Sequence, residues 1–483
     1  MRIMKVIPFC MMILNLGIGH AAIADTLVVA EPKSIDNLPS VLSDRLGLAF
    51  PGKDKRHYAA LEEAGLGVVR LGVSWADREP KQGKYDWIDL DRQIVALQNR
   101  GIKPFLTLYP DAPWGVRDLN SPVKNKRPKD IKAWQIFVGN LVERYDGDGQ
   151  QDAPGLKTRV LYYQVANEWI SNQNRSGGWN GTADELINFV NVSYDAVKRA
   201  DSGALFVLGG IAAFNLDIMS MLKGISHYPA HQKFSAESSI TISSYMLDSP
   251  SYKTMQNDVY KVLELSKYDY ADVHLYGETR RNQYRIEAIR QHTNRPLLSS
   301  ECGGPSLDYR DSYKSSEHFT AVFDWNLSSL SHNLVFCLWF QLGESQGSTW
   351  GNRKVALFDT AQEPKPGFHA YHFLSHMLQG VDKVDYIREG VYKLTYQSGD
   401  TLVVAWNGSA AINSATAEIS VESLNGFLNI DNKGNSENTL QVVRITDVEQ
   451  GLYSIENVTG NFSLILKDVP VIVGKVIPKT LAQ

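Results

Sequence analysis

Three cysteines in 483 residues are too few for a disulfide scaffold, and no two of them have the spacing of a zinc site. No run of 18 apolar residues exists, so no membrane-spanning helix is expected. Basic excess is missing too: 49 Lys and Arg stand against 53 Asp and Glu, for a net charge of −4. With no Lys/Arg block either, a nucleic-acid-binding surface is excluded as the default. Internal repeats and low-complexity segments are absent. What is present is an ordinary globular composition, 43% hydrophobic with 37 Gly. The length suits two or three domains, or one large barrel plus an extra.

The N-terminus reads as an export leader. Arg2 and Lys5 precede an apolar stretch, Val6–Ile18, broken by Pro8 and Asn15, and Ala21-Ala22-Ile23-Ala24 offers a cleavage site before Asp25. Residues 1–24 are therefore expected to be a signal peptide and 25–43 an N-terminal extension. The mature protein is expected to be exported, periplasmic or secreted, with Cys302 and Cys337 as its only thiols.

From 44 to 380 the pattern alternates strand and helix. Candidate strands are Arg45–Ala49, Val68–Val73, Lys103–Leu108, Val160–Val165, Leu205–Gly209, Ala271–Leu275, Pro296–Ser300 and Leu334–Phe340. Segments of helical periodicity lie between them, such as Ile131–Tyr145 and Ala183–Ala200, punctuated by Gly65 and Gly101. Eight such units predict a (β/α)8 barrel, an α/β fold. A doubly wound open sheet is disfavoured because no Gly-rich phosphate loop follows the first strand. The surplus length falls mostly after strands four, five, seven and eight, the side of a barrel that builds its site. From 381 to 483, short alternating runs separated by Gly/Asn/Ser turns predict a small all-β sandwich. It carries no carboxylate pair, and Trp406 is its only tryptophan, which predicts a docking rather than a sugar-binding role.

Two strand ends carry chemistry. Strand four ends Gln164-Val165-Ala166-Asn167-Glu168-Trp169, and strand seven ends Ser299-Ser300-Glu301-Cys302-Gly303-Gly304. Strands four and seven face each other across an eight-stranded barrel, so Glu168 and Glu301 can flank one scissile bond. Taken singly, either could be a salt-bridged rim residue. No Ser–His–Asp or thiol–histidine arrangement competes with the pair.

Around these carboxylates the sequence resembles the clan A retaining glycoside hydrolases, which include families 5, 39 and 42. The resemblance covers roughly 44–380 and rests on a set in strand order. Arg70 stands on strand two, followed by Trp75, Glu79-Pro80, Gly83 and Tyr85-Asp86-Trp87. Gly101-Ile102-Lys103-Pro104 leads into strand three, and Asn167-Glu168 ends strand four. His274-Leu275-Tyr276 ends strand six, Glu301 strand seven, and Trp339 lies in strand eight. Family 5 members usually carry a His at the end of strand three, where this chain has Thr107-Leu108-Tyr109-Pro110, so family 39 or a relative fits better.

The resemblance implies an enzyme that hydrolyses O-glycosidic bonds of an oligo- or polysaccharide by two displacements. Glu168 would be the acid/base, with a raised pKa, and Glu301 the nucleophile. Asn167 would hold the sugar's 2-hydroxyl, Tyr276 and Arg70 would support Glu301, and His274 would orient that network. Trp75, Trp114, Trp169 and Trp339, with Trp179 and Trp350, fall at strand ends or in loops where an indole face could cover a sugar ring. The competing reading for such rings is loop-anchoring core. Asp111 and Asp118 are further hydroxyl-acceptor candidates. No cofactor and no metal is implied, and Asp146–Asp152 reads as a solvated turn rather than a calcium loop. Two rivals share the reading: a transglycosylase or exopolysaccharide-modifying enzyme with the same pair, and a non-catalytic carbohydrate-binding matrix protein. Strand alternation, with Glu301 and Trp339 both inward, puts Cys302 and Cys337 on opposite faces and predicts no disulfide.

Overall fold

The computed structural model describes residues 31–52, 55–233, 239–304, 313–344, 354–408, 418–428, 439–459 and 462–482. The leader, Trp350 and the turn at 432–435 lie outside them. Eight parallel strands close into a ring: β1 (Ser43–Ala49), β2 (Leu66–Ser74), β3 (Lys103–Tyr109), β4 (Tyr162–Val165), β5 (Leu205–Ile211), β6 (Tyr270–Val273), β7 (Leu297–Gly303) and β8 (Leu334–Phe340). Each pairs with the next, and β8 pairs back onto β1. The predicted barrel is present.

Local sequence explains the outer helices. Ile131–Tyr145 buries Trp134, Phe137, Val138, Leu141, Val142 and Tyr145, a stripe at helical spacing turned to the sheet. Ala183–Ala200 starts with a Thr182/Glu185 capping box and ends in Lys198 and Arg199, complementing its dipole. Gly65 and Gly101, both at φ 73°, turn the chain from helix into strand where a Cβ would be strained. The segment after β5 holds more structure than its sequence suggests: helix Ala213–Leu222 and a hairpin Ala230–Lys233/Ser239–Ile242 precede the helix Pro250–Leu265, which helical periodicity at Met255–Ser266 predicts. The loop after β3, residues 110–130, is also long. Among the described residues no helix is long and apolar enough to cross a membrane.

The lumen is filled in steps of two residues, because strand side chains alternate faces. A lower layer of Val68, Phe105, Tyr162, Val207, Leu298 and Phe336 is apolar and buried. Two residues further along, the inward positions become Arg70, Thr107, Gln164, Asp272 and Ser300, all buried and polar. One pleat therefore separates a dry plug from a polar floor at the C-terminal end of the barrel.

Strand eight corrects the sequence reading. Phe336 and Leu338 face the lumen, with Phe340 packed beside them, while Cys337 and Trp339 face outward into the layer between strands and helices. The Trp339 indole donates to Val355 O at 2.8 Å and packs edge-on against Tyr371 and His318. In β7 the register slips between Ser299 and Cys302, so Ser300 and Glu301 both reach the lumen and Cys302 turns outward. Both cysteines thus meet on the outer face, and Cys302 and Cys337 form a disulfide across β7 and β8. The expectation of two free thiols was wrong because the phase of β8 was taken from Trp339. Alkylation in denaturant without reductant should label neither residue. In the chain-entropy picture, reduction should cost about 3–4 kcal/mol of stability, read as a lower denaturation midpoint.

The C-terminal region is mainly one seven-stranded antiparallel sheet. Its order runs Lys33–Ser34, Leu452–Val458, Leu440–Asp447, Val471–Gly474, Thr401–Ala405, Val391–Tyr396, Val381–Arg388. The edge strand Lys33–Ser34 comes from the N-terminal extension. Alternation is clean: Val391, Val403, Val442 and Val473 face a small second layer, a two-stranded sheet (Glu418–Ser420 with Ser463–Ile465) and helix Val421–Phe427. Tyr392, Leu394, Val404 and Ile472 face the barrel's outer helices. Across that seam Phe373 meets Tyr453 edge-on at 5.2 Å. Because Phe373 is fully buried, Phe373→Ala should destabilise the chain by about 3–5 kcal/mol in urea unfolding.

Candidate active site

Arg70 organises the floor of the site. Its guanidinium is fully buried. Nη1 donates to Glu301 Oε1 at 2.5 Å, Nη2 to Gln164 Oε1 (2.8 Å) and Asn167 Oδ1 (2.6 Å), and Nε to Thr107 Oγ1 (2.7 Å). One side chain therefore ties β2 to β3, β4 and β7. Gln164 passes the constraint on, donating through Nε2 to Asp272 Oδ2 at 2.6 Å. Asp272 also accepts from the Ser300 amide (2.8 Å) and hydroxyl (2.5 Å).

Glu301 is held on both oxygens. Besides Arg70, the Tyr276 hydroxyl donates to Oε2 at 3.0 Å, and His274 Nδ1 lies 3.5 Å from the same atom. Tyr276 is itself anchored: its carbonyl accepts from Arg285 Nη1 at 2.8 Å, and Arg285 is gripped by Asp217 at 2.7 and 2.9 Å.

Glu168 sits where the chain leaves β4 in a turn. It has φ 44°, and Ala166 has φ 66°, left-handed conformations that cost a non-Gly residue of order 1–3 kcal/mol. Two backbone bonds hold the turn: Glu168 N donates to Gly210 O (2.9 Å) and Gly178 N to Glu168 O (3.0 Å). The carboxylate accepts from His274 Nδ1 at 2.9 Å and Asn174 Nδ2 at 2.6 Å. Gly210 makes room for this, since a Cβ there would stand 2.1–2.2 Å from the His274 ring.

His274 thus links the two carboxylates, and an oxygen of Glu168, an oxygen of Glu301 and a His274 nitrogen all lie within 4.8 Å of one another. Burial disfavours an imidazolium, yet Glu301, Asp272 and the hydrogen bonds to Asp272 and Glu168 hold its pKa up at about 10. Burial alone would push Glu168 upward, but the hydrogen bond and charge of His274, then Asn174 and Arg70, bring it below its ordinary value. That reverses the raised pKa expected for Glu168 from sequence. Asp272 is likewise lowered despite burial, chiefly by His274. The trio has the donor types of a metal site.

The other expected residues fall elsewhere. Asn167 is in the cluster, and its Nδ2 donates to Ser176 O at 3.0 Å. The indole N–H groups of Trp75, Trp114 and Trp169 donate to Glu79 Oε2, Glu79 O and Gly209 O. Trp179 donates to Thr182 O. These rings, like Trp339, anchor loops and helices. Asp111 accepts from Ser74 Oγ and Ala76 N, and Asp118 pairs with Arg127. The aromatic ring beside Tyr276 is Phe340, at 6.2 Å between centroids. Sequence reading missed Thr107, Gln164, Asp272 and Ser300, although each is a polar residue in a strand otherwise buried on both faces. It also missed Asn174 and Gly210, which nothing short of the fold brings to the carboxylates.

With this geometry in view, the chain can be set beside known proteins. Residues 53–112 match the beta-galactosidase family of glycoside hydrolase family 42. No curated protein matches. Among solved structures, a family 39 glycoside hydrolase from Bacteroides cellulosilyticus WH2 is similar at 16% identity and TM-score 0.59, covering 90% of this chain and 82% of that one. A monomeric beta-xylosidase from Caulobacter crescentus CB15 is similar at 14% identity and TM-score 0.55, covering 93% and 98%. An alpha-L-arabinofuranosidase from Thermotoga maritima follows at 11% and 0.54, covering 92% and 98%. The fold is that of the clan A glycoside hydrolases.

One consequence concerns protonation. His274→Leu removes both the hydrogen bond and the charge that depress Glu168, so its pKa should rise. In carboxyl-resolved NMR titrations the Glu168 signal should move at higher pH in the variant than in the parent. An unchanged titration would remove His274 from the control of Glu168.

Proposed function

We propose that this protein is an exported retaining glycoside hydrolase, cleaving O-glycosidic bonds of an oligo- or polysaccharide. The observation that carries the reading is the Glu168–Glu301 pair at the C-terminal ends of β4 and β7, with oxygens within 4.8 Å. Retaining pairs sit about 5–5.5 Å apart, whereas inverting pairs leave about 6.5–9.5 Å for a water between them. The similar structures include a beta-xylosidase and an alpha-L-arabinofuranosidase, which supports a glycosidic substrate.

In this reading Glu301, aimed by Arg70 and Tyr276, attacks the anomeric carbon, and Glu168 protonates the departing oxygen. Glu168 needs a proton for that step, and His274 Nδ1 holds one 2.9 Å away. A sugar seated over Glu168 displaces water, which favours the neutral carboxyl and draws the proton across. In the second displacement water bonds to the anomeric carbon as its bond to Glu301 breaks, Glu168 takes the water's proton, and that proton returns to His274. Asn167, fixed at Oδ1 by Arg70 and at Nδ2 by Ser176 O, presents a rigid amide edge for the 2-hydroxyl. The chemistry uses these side chains alone and asks for no cofactor. Export is supported by the leader-like residues 1–24 and by the Cys302–Cys337 disulfide, a bond of oxidising compartments.

Replacing Glu301 with Gln should abolish turnover on every substrate. Glu168→Ala should spare aryl glycosides with good leaving groups, and added azide should restore turnover with a glycosyl azide of retained configuration. An inverted azide product would overturn the acid/base assignment.

A further inference from the structure

The loop between β3 and helix Ile131–Tyr145 brings one more charge to the rim of the site. Lys124 is clamped there by backbone: its N–H donates to Gly177 O at 2.7 Å. The next residue, Asn125, donates through Nδ2 to Asn167 O (2.6 Å) and Gly178 O (2.7 Å). These acceptors belong to the turn that carries Asn167 and Glu168, so the lysine is fixed to the acid/base segment. Its ammonium lies 3.6 Å from the centroid of the Tyr109 ring. Tyr109 ends β3 two residues beyond Thr107, the partner of Arg70.

This cation differs from its neighbours in the loop. Lys126 donates to the carbonyls of Leu119 and Ser121, and Arg127 pairs with Asp118 and Glu185. Lys124 is half-buried, and among the described residues it forms no ion pair. Burial pushes its pKa down, with the Arg70 charge acting the same way and Asp111 and Glu301 opposing. A half-buried ammonium against an aromatic face, beside the reacting carboxylates, is a ready seat for an anion. A single negative charge suits it better than a double one, because Asp111 and Glu301 already act on the same ammonium.

We propose that Lys124, seated on the buried Tyr109 ring, forms a subsite for an anionic sugar, so that the substrate is a glycan bearing a monoanionic group, a uronate carboxylate or a sulfate ester. This rests on the glycosidase reading and narrows its substrate class. The ammonium pairs with the anion, and the buried Tyr109 ring beneath it holds the ammonium in place. Neither group takes part in bond breaking.

The test uses matched polymers. Uronate-containing polysaccharides are compared with the same polymers after carboxyl reduction, and sulfated polysaccharides with their desulfated forms; the pair that responds identifies the anion. The full-length enzyme should favour the charged member of one pair. Lys124→Met should lower the charged-to-neutral ratio of kcat/KM by about 10- to 100-fold, and Lys124→Arg should retain the preference. Added salt should erode it in the parent and in Lys124→Arg, and change nothing in Lys124→Met. Equal cleavage of both members by the parent, or equal loss on both in Lys124→Met, would overturn the subsite. If nothing is cleaved, the glycosidase reading fails by itself, and calorimetric binding of the same pairs to Glu301→Gln decides. A charged-polymer preference that the added Lys124→Met abolishes supports the subsite; no preference overturns it.

Discussion

A guanidinium taken wholly out of water is costly unless it is paired and its remaining donors are met. Arg70 imposes that condition on the upper lumen, and most of the site follows from it. Glu301 answers its charge. Thr107, Gln164 and Asn167 answer its other N–H groups, and each then needs partners of its own. Gln164 finds Asp272, Asp272 finds Ser300 and His274, and His274 reaches Glu168. The chain of obligations ends with two cations, Arg70 and His274, facing three carboxylates, Glu168, Asp272 and Glu301.

Much of this could be read in sequence for a physical reason. Parallel strands buried on both faces are apolar runs, so they stand out, and a polar residue inside one marks an inward step toward the site. Val68 to Arg70 and Leu298 to Ser300 are such steps. The same property hid the phase of β8. Phe336, Leu338 and Phe340 are as apolar as Cys337 and Trp339, so alternation carries no signal, and the outward pair was assigned inward. The slip at Ser300–Glu301 compounded the error, because it puts two consecutive side chains into the lumen. Helix Ala213–Leu222 was hidden likewise: it is apolar almost all round and shows no stripe. The tryptophans misled because an indole at a strand end looks the same whether its N–H meets a sugar or a carbonyl of its own chain.

The two carboxylates are held by different means. β7, which carries Glu301, is braced from outside by the Cys302–Cys337 disulfide, by Trp339 packed on helix Pro366–Met377, and by the C-terminal sheet beyond that helix. Glu168 stands instead on a left-handed turn, pinned by two backbone bonds and admitted by Gly210. The nucleophile role proposed for Glu301 would require it to be aimed at one carbon in both displacements, which favours bracing. The acid/base role proposed for Glu168 would require proton exchange with a leaving group, then with water, and a short turn near the rim suits that.

The depressed pKa of Glu168 looks at odds with the acid role proposed for it until the proton is followed as belonging to the group of residues. The surrounding carboxylates hold the His274 pKa up at about 10, so in the proposed mechanism the free site would store the leaving group's proton on the imidazole, 2.9 Å from Glu168. Were Glu168 itself protonated at rest, the imidazolium would lose its best acceptor, and Glu301 would draw the charge of His274 toward itself. On that proposal, keeping the proton on His274 would let both carboxylates share one cation until a sugar separated them from water. The cost of moving the proton is then met by the same binding event that brings the substrate, which couples acid strength to occupancy of the site.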